Sequence, residues 1–76
     1  MAWSYDPTDL NTTTASGRLN TVRFLVGDTD TNNQQVQNEE ITFSLSQTAD
    51  DVYTASAYVA RSIASQYASK VNIEVD

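Results

Sequence analysis

The chain has 76 residues, with ten acidic and four basic side chains and a net charge of −6. A chain of this length forms one small domain, which hides only about 60% of the surface that its unfolded form exposes. It contains neither Cys nor His, so disulfides, Cys-based zinc sites and His-based acid–base catalysis are excluded. We therefore expect association with other subunits to supply part of the stability.

The acidic charge also restricts the partners. Nucleic-acid binding depends on Lys and Arg side chains that neutralise phosphates, and the basic residues here are scattered: Arg18, Arg23, Arg61 and Lys70. Anionic membrane surfaces are disfavoured for the same reason, and no apolar run approaches the roughly 20 residues of a membrane span. The N-terminus also lacks the features of a signal peptide. We expect a soluble protein, made in the cytoplasm, that binds neither membranes nor specific nucleic-acid sequences and uses no cofactor.

Residues 1–16 predict an extended N-terminal arm. Asp6-Pro7 and the Thr-rich run that follows disfavour a helix, because Pro restricts the preceding residue and Thr loses side-chain freedom. The arm carries Trp3 and Tyr5, and aromatic side chains supply much contact area at small entropic cost. The arm is either a disordered tail or a docking element. We favour docking on a neighbouring subunit, because the rest of the chain offers little groove of its own.

A first helix is predicted over about residues 17–26. Ser16 is a suitable N-cap, and Gly27 ends the helix because it accepts a left-handed conformation. An apolar stripe with helical spacing runs along one face. Phe24 falls away from that stripe. Its exposure is either incidental or marks a contact with another subunit, and we favour the contact.

A second helix is predicted over about residues 38–47. Asn38 is the expected N-cap, and the acidic pair Glu39-Glu40 lies in the first turn, where the helix dipole favours negative charge. Ile41 and Leu45 form its buried edge. Phe43 points elsewhere, as Phe24 does.

The third and longest helix is predicted over about residues 50–70, with Asp50 or Asp51 as its cap. A stripe of small residues runs beside its apolar face: Ala57, Ala60, Ala64 and Ala68. Small side chains let another helix approach closely, although Ala is also simply a good helix former. Residues 72–76 alternate polar and apolar side chains, which indicates a short strand or a C-terminal arm.

These elements predict an all-α fold: a small three-helix domain over residues 17–71, with two short helices packed on one long helix and extended arms over 1–16 and 72–76. The predicted core residues are Leu19, Val22, Val26, Ile41, Leu45, Val52, Val59, Ile63 and Tyr67. The predicted contacts to other proteins are Trp3, Tyr5, Phe24, Phe43 and Tyr58.

The loop between the first two helices, for which we predict no apolar anchor, has the ligand spacing of an EF-hand. Oxygen-bearing side chains stand at positions 1, 3, 5 and 12 of a twelve-residue loop: Asp28, Asp30, Asn32 and Glu39. Position 6 is Asn33 instead of Gly, position 8 is Gln35 instead of an apolar residue, and the chain has no second loop of this kind. A single-loop calcium-binding module is therefore the alternative hypothesis. The same acids also fit a helix end followed by a helix start.

Catalysis is not expected. The acidic pairs Glu39-Glu40 and Asp50-Asp51 consist of adjacent residues, so their side chains diverge instead of facing a shared substrate. No His activates a Ser or Thr nucleophile, and two glycines do not make a phosphate-binding loop.

Three stretches, in order along the chain, resemble the head–tail connector (head-completion adaptor) proteins of tailed bacteriophages. They are the run RLNTVRFLVGDTD over residues 18–30, the restart Glu39-Glu40-Ile41, and the Ala-rich helix that ends near Lys70-Val71. Together they cover about residues 17–73. The resemblance implies a structural virion protein without enzymatic activity, located at the head–tail junction.

The same resemblance implies the partners. Such connectors form a homo-oligomeric ring, usually a dodecamer, below the portal of the DNA-filled head. The ring extends the DNA channel and provides the surface on which the tail or neck assembles. The implied partners are therefore copies of this chain, the portal protein and a tail or neck protein.

Overall fold

The chain folds into three helices, as the sequence predicts. The computed structural model describes residues 2–75, with side chains described through residue 68. The helices are α1 (Ala15–Val26), α2 (Asn38–Gln47) and α3 (Val52–Val75), and the described part of the chain contains no strand. Helices α1 and α2 both pack against α3, and more extensively than against each other. The predicted all-α class, with two short helices on one long helix, is confirmed.

Helix α1 begins earlier than predicted because Thr14, and not Ser16, is its N-cap. The Thr14 hydroxyl oxygen accepts a hydrogen bond of 3.0 Å from the backbone N–H of Gly17, which satisfies one of the orphan donors of the first turn. Gly27 ends the helix with a φ of 78°. Its predicted role as a left-handed cap is confirmed.

Helix α2 has the predicted bounds but a different cap. The N-cap residue is Gln37, whose backbone N–H donates a hydrogen bond of 2.7 Å to the Glu40 carboxylate. This is one half of a capping box. The predicted cap Asn38 is instead the first helical residue, and its side chain contacts α1 and the arm.

Helix α3 begins after Asp51, which is one of the two predicted caps. The Asp51 carboxylate accepts hydrogen bonds from the Tyr53 backbone N–H at 3.1 Å and from the Thr54 hydroxyl at 2.8 Å. The helix continues to Val75, so the predicted C-terminal arm is wrong for residues 72–75, and Asp76 lies outside the described residues.

The core lies where α1 and α2 meet the first half of α3. Its buried apolar residues are Val22, Val36, Ile41, Leu45, Val52, Ala55 and Val59, and Leu19, Val26 and Ile63 pack against them half-buried. The prediction misses two members of this core. Ala55 was not expected there, and Val36 is only 2% exposed although its loop was predicted to have no apolar anchor. Tyr67 is 53% exposed, so its assignment to the core is wrong.

Helix α3 extends past the core. Residues 64–68 are exposed, as are Ala57 and Ala60. No helix in the described part of the chain therefore covers the alanine stripe. None of these helices combines the length and apolar character that crossing a membrane requires.

Candidate functional site

A buried ion pair organises the connection between α1 and α2. The side chains of Arg23 and Asp28 are both fully buried, and Arg23 Nη1 donates to Asp28 Oδ2. Three further N–H groups of Arg23 donate to the Ser4 carbonyl at 2.8 Å, to the Val36 carbonyl at 2.9 Å and to Asn38 Oδ1 at 2.8 Å. The guanidinium thus links the arm, α1, the loop and the start of α2.

The Asp28 carboxylate fixes the loop from the opposite side. It accepts hydrogen bonds from the backbone N–H groups of Gln35 at 3.0 Å and Val36 at 3.1 Å. Because the left-handed turn at Gly27 directs Asp28 back toward α1, these bonds return the loop to the core. The return explains why Val36 is buried in an otherwise polar segment.

The N-terminal arm covers this ion pair. The guanidinium carbon of Arg23 lies 4.6 Å from the ring centroid of Trp3, a cation–π geometry. The Trp3 indole N–H also donates to Asp28, at 3.3 Å to Oδ1. At the start of α2, the Ala2 carbonyl accepts a bond of 2.6 Å from the backbone N–H of Asn38. The arm is therefore bound to its own chain.

This arrangement corrects one premise of the arm prediction. The rest of the chain was expected to offer little groove, but the closed loop and the start of α2 form one. Trp3 and Tyr5 are half-buried, because the arm packs on the α1–loop–α2 surface of its own chain. Contact of the two aromatic residues with a neighbouring subunit stays a prediction.

Burial and hydrogen bonding shift the pKa of two groups near this site. Burial lowers the pKa of Arg23, and the charge of Asp28 partly offsets this effect; the guanidinium stays charged. The backbone N–H of Ala2, 3.0 Å from Oε1 of Glu39, lowers the pKa of that carboxyl. Glu39 is therefore held in its ionised form.

The structure gives the candidate calcium ligands other partners. The Asp28 carboxylate is paired with the buried Arg23 guanidinium, whose positive charge opposes a cation at the same oxygens. Asp30 accepts a bond of 2.9 Å from the backbone N–H of Asn32, and Glu39 is bonded to Ala2. Within the described residues, no group of three or more acidic, His or Cys side chains is arranged to hold a metal ion. The loop geometry favours a structural role for these residues.

The second notable feature is a set of exposed aromatic side chains. Of the predicted contact residues, Phe24 is 58%, Phe43 64% and Tyr58 51% exposed. Two shallow depressions flank Phe43. One, of about 510 Å³, is lined by Phe43 and by Ala2, Asn38, Glu39, Thr42 and Ser46. The other, of about 460 Å³, is lined by Phe43, Ser44, Gln47 and Tyr58. We call these two depressions together the Phe43 groove.

Compared with protein-family models, curated proteins and solved structures, the chain gives no match. The assignment of the two features therefore depends on their own geometry. The ion pair is covered by the arm and has no access for a substrate, so it serves to hold the fold together. The exposed aromatic side chains face outward, where another protein can contact them.

The sequence identified Phe24, Phe43 and Tyr58 as exposed aromatics, but not Tyr53 or Tyr67, and it missed the ion pair. A signal for it was present, because Arg23 lies four residues after Leu19 and three before Val26, on the apolar side of α1. A charged residue at such a position needs a buried partner. Nothing in the spacing alone identifies Asp28 as that partner.

Proposed function

We propose that this chain is a structural subunit of a tailed-phage virion, a head–tail connector without enzymatic activity. Copies of it form a ring below the portal, extend the DNA channel and present a docking surface for the tail or neck. The observation that carries the proposal is the exposure of three large aromatic side chains, Phe24, Phe43 and Tyr58, on a small helical body. The resemblance of residues 18–30 to head–tail connector proteins supports the choice of this family for the proposal.

The exposed aromatics fit a protein that functions by contact. Large apolar side chains exposed on a small domain mark protein–protein interaction sites when they cluster, and aromatic residues are enriched among the contacts that dominate binding. In a ring, each subunit offers two different surfaces to its two neighbours. Phe24 lies on α1 and lines neither depression of the Phe43 groove. We infer that Phe24 belongs to the contacts between copies, on a surface separate from the Phe43 groove.

The charge of the chain predicts how the ring responds to salt. Each copy carries a net charge of −6, so neighbouring subunits repel one another, and salt screens this repulsion. We expect the ring to assemble more readily as ionic strength rises. The same charge disfavours retention of DNA phosphates in the channel.

Sedimentation velocity across protein and salt concentration tests this proposal. We expect one large species of fixed stoichiometry to appear as salt rises, and we expect Phe24→Ser to abolish it. Tyr53→Ser is the matched control, because Tyr53 is 71% exposed on α3 but is not a predicted contact. A chain that stays monomeric at every concentration and salt level, alone and with portal assemblies, contradicts the proposal.

The calcium-binding alternative is not proposed. Its first ligand, Asp28, is paired with Arg23 in the interior of the protein. No observation in the described part of the chain favours that function over the connector.

A further inference from the structure

The Phe43 groove lies in an acidic part of the surface. Glu39 lines the groove, and both Glu39 and Glu40 lie within one helical turn of Phe43. Helix α2 carries no basic residue. The carboxylate of Glu39 is ionised, since its hydrogen bond from Ala2 lowers its pKa. This surface therefore presents an apolar side chain, Phe43, with two carboxylates beside it.

The basic side chains of the chain do little to offset these carboxylates. Arg23 is buried with Asp28, and Arg18 lies 3.6 Å from Asp50. Of the described basic side chains, only Arg61 forms no salt bridge. Arg61 lies one helical turn after Tyr58, beside the depression that Glu39 does not line, so the two carboxylates outnumber it around the groove. A second copy brought to the groove adds the same acidic excess. The charge of the groove is complementary to a cationic occupant and not to another copy of this chain.

The backbone around the groove limits the shape of that occupant. The described part of the chain offers no strand edge to which an extended peptide can add. Depressions on both sides of one exposed aromatic residue suit helix-in-groove recognition, in which an amphipathic helix lays its apolar face into a hydrophobic groove.

We propose that the Phe43 groove binds a basic amphipathic helix of a different protein. Apolar side chains of that helix enter the depressions beside Phe43, and its Lys and Arg side chains pair with Glu39 and Glu40. This inference deepens the proposed function and rests on it for the presence of a protein partner. It assigns the Phe43 groove to a cationic partner and leaves the surface around Phe24, on α1, for contacts between copies.

Fluorescence anisotropy with synthetic peptides tests the inference. The probe is a labelled helical peptide of about 18 residues, with Leu at i, i+3, i+4 and i+7 and Lys on its other face. The matched control peptide carries Glu at every Lys position. We expect the basic peptide to bind at least about tenfold more tightly than the acidic one. Equal affinities, or no binding at about 1 mM protein, overturn the inference.

Substitutions separate specific docking from general attraction to an acidic protein. Phe43→Ser should weaken binding of the basic peptide by about tenfold, whereas Phe24→Ser should change it by less than about twofold. Because both residues are more than half exposed, neither change removes a core contact. Circular dichroism of each variant verifies the fold, and Tyr58→Ser supplies a second variant in the groove. Equal effects of Phe43→Ser and Phe24→Ser overturn the inference.

Salt distinguishes failure of this inference from failure of the proposed function. Peptide binding should weaken as salt rises, because Glu39 and Glu40 contribute by charge, while ring assembly should strengthen. Glu39→Gln should weaken binding by about threefold and reduce its salt dependence. Rings without peptide binding refute only the groove assignment. Peptide binding without rings refutes the connector and leaves the groove assignment standing.

Discussion

Asp28→Asn perturbs the buried ion pair without changing the size of the side chain. The change leaves the Arg23 guanidinium fully buried without its paired carboxylate, and it places an amide where that carboxylate accepts bonds from Gln35 and Val36. Breaking a buried pair by removing one partner costs about 3–5 kcal/mol. A domain of this length has a free energy of unfolding of about 4–11 kcal/mol. We therefore expect the variant to lose a large part of its free energy of unfolding.

Urea denaturation, followed by circular dichroism and by the fluorescence of Trp3, the single tryptophan, measures this effect. Asp50→Asn is the matched control, because it removes the charge of a partly exposed pair with Arg18 and should cost less than about 1 kcal/mol. Arg23→Met should cost less in the Asp28→Asn background than in the wild type, since the pair is then already broken. A loss below about 1 kcal/mol for Asp28→Asn, similar to that of Asp50→Asn, refutes the reasoning.

Three further predictions concern the loop, the turn and the candidate cation site. Val36→Ala should lower the free energy of unfolding in urea by about 1.5–3 kcal/mol, because it removes two buried methyl groups; a neutral result means that the loop does not contribute to the core. Ala49→Gly should raise the midpoint of thermal unfolding, because Ala49 has a φ of 53° and its left-handed strain of about 1 kcal/mol is relieved; a lower midpoint shows that backbone entropy outweighs the strain. Millimolar calcium should leave the unfolding temperature unchanged in calorimetry, and a rise that Asp28→Ala abolishes supports the EF-hand hypothesis instead.

The helices were predictable because their signals are local. Gly27 ends α1, the first-turn acids mark α2, and Asp51 caps α3, and each of these effects acts within one helical turn. The errors at helix ends also have local causes. Thr14 and Ser16 are both competent caps, and the choice between them depends on backbone conformation. The alternation after residue 71 suggested an arm, although no Gly or Pro ends the helix there.

The ion pair and the docked arm were not predictable in the same way, because they depend on contacts between distant residues. Arg23 bonds to a carbonyl 19 residues before it, and the Trp3 indole reaches Asp28 across 25 residues. Val36 is the single apolar residue in the loop between α1 and α2, so its identity hinted that the loop contacts the core. A single apolar side chain shows no periodicity, however, and Val36 is buried because the Asp28 carboxylate closes the loop.

Cryo-electron microscopy of the chain mixed with phage portal assemblies tests the proposed connector function most directly. We expect a closed ring on the portal axis, with copies of this three-helix body in contact through the Phe24 surface and the channel continuing through its centre. Portal particles that carry no additional ring, with the chain remaining as monomers in solution, contradict the account.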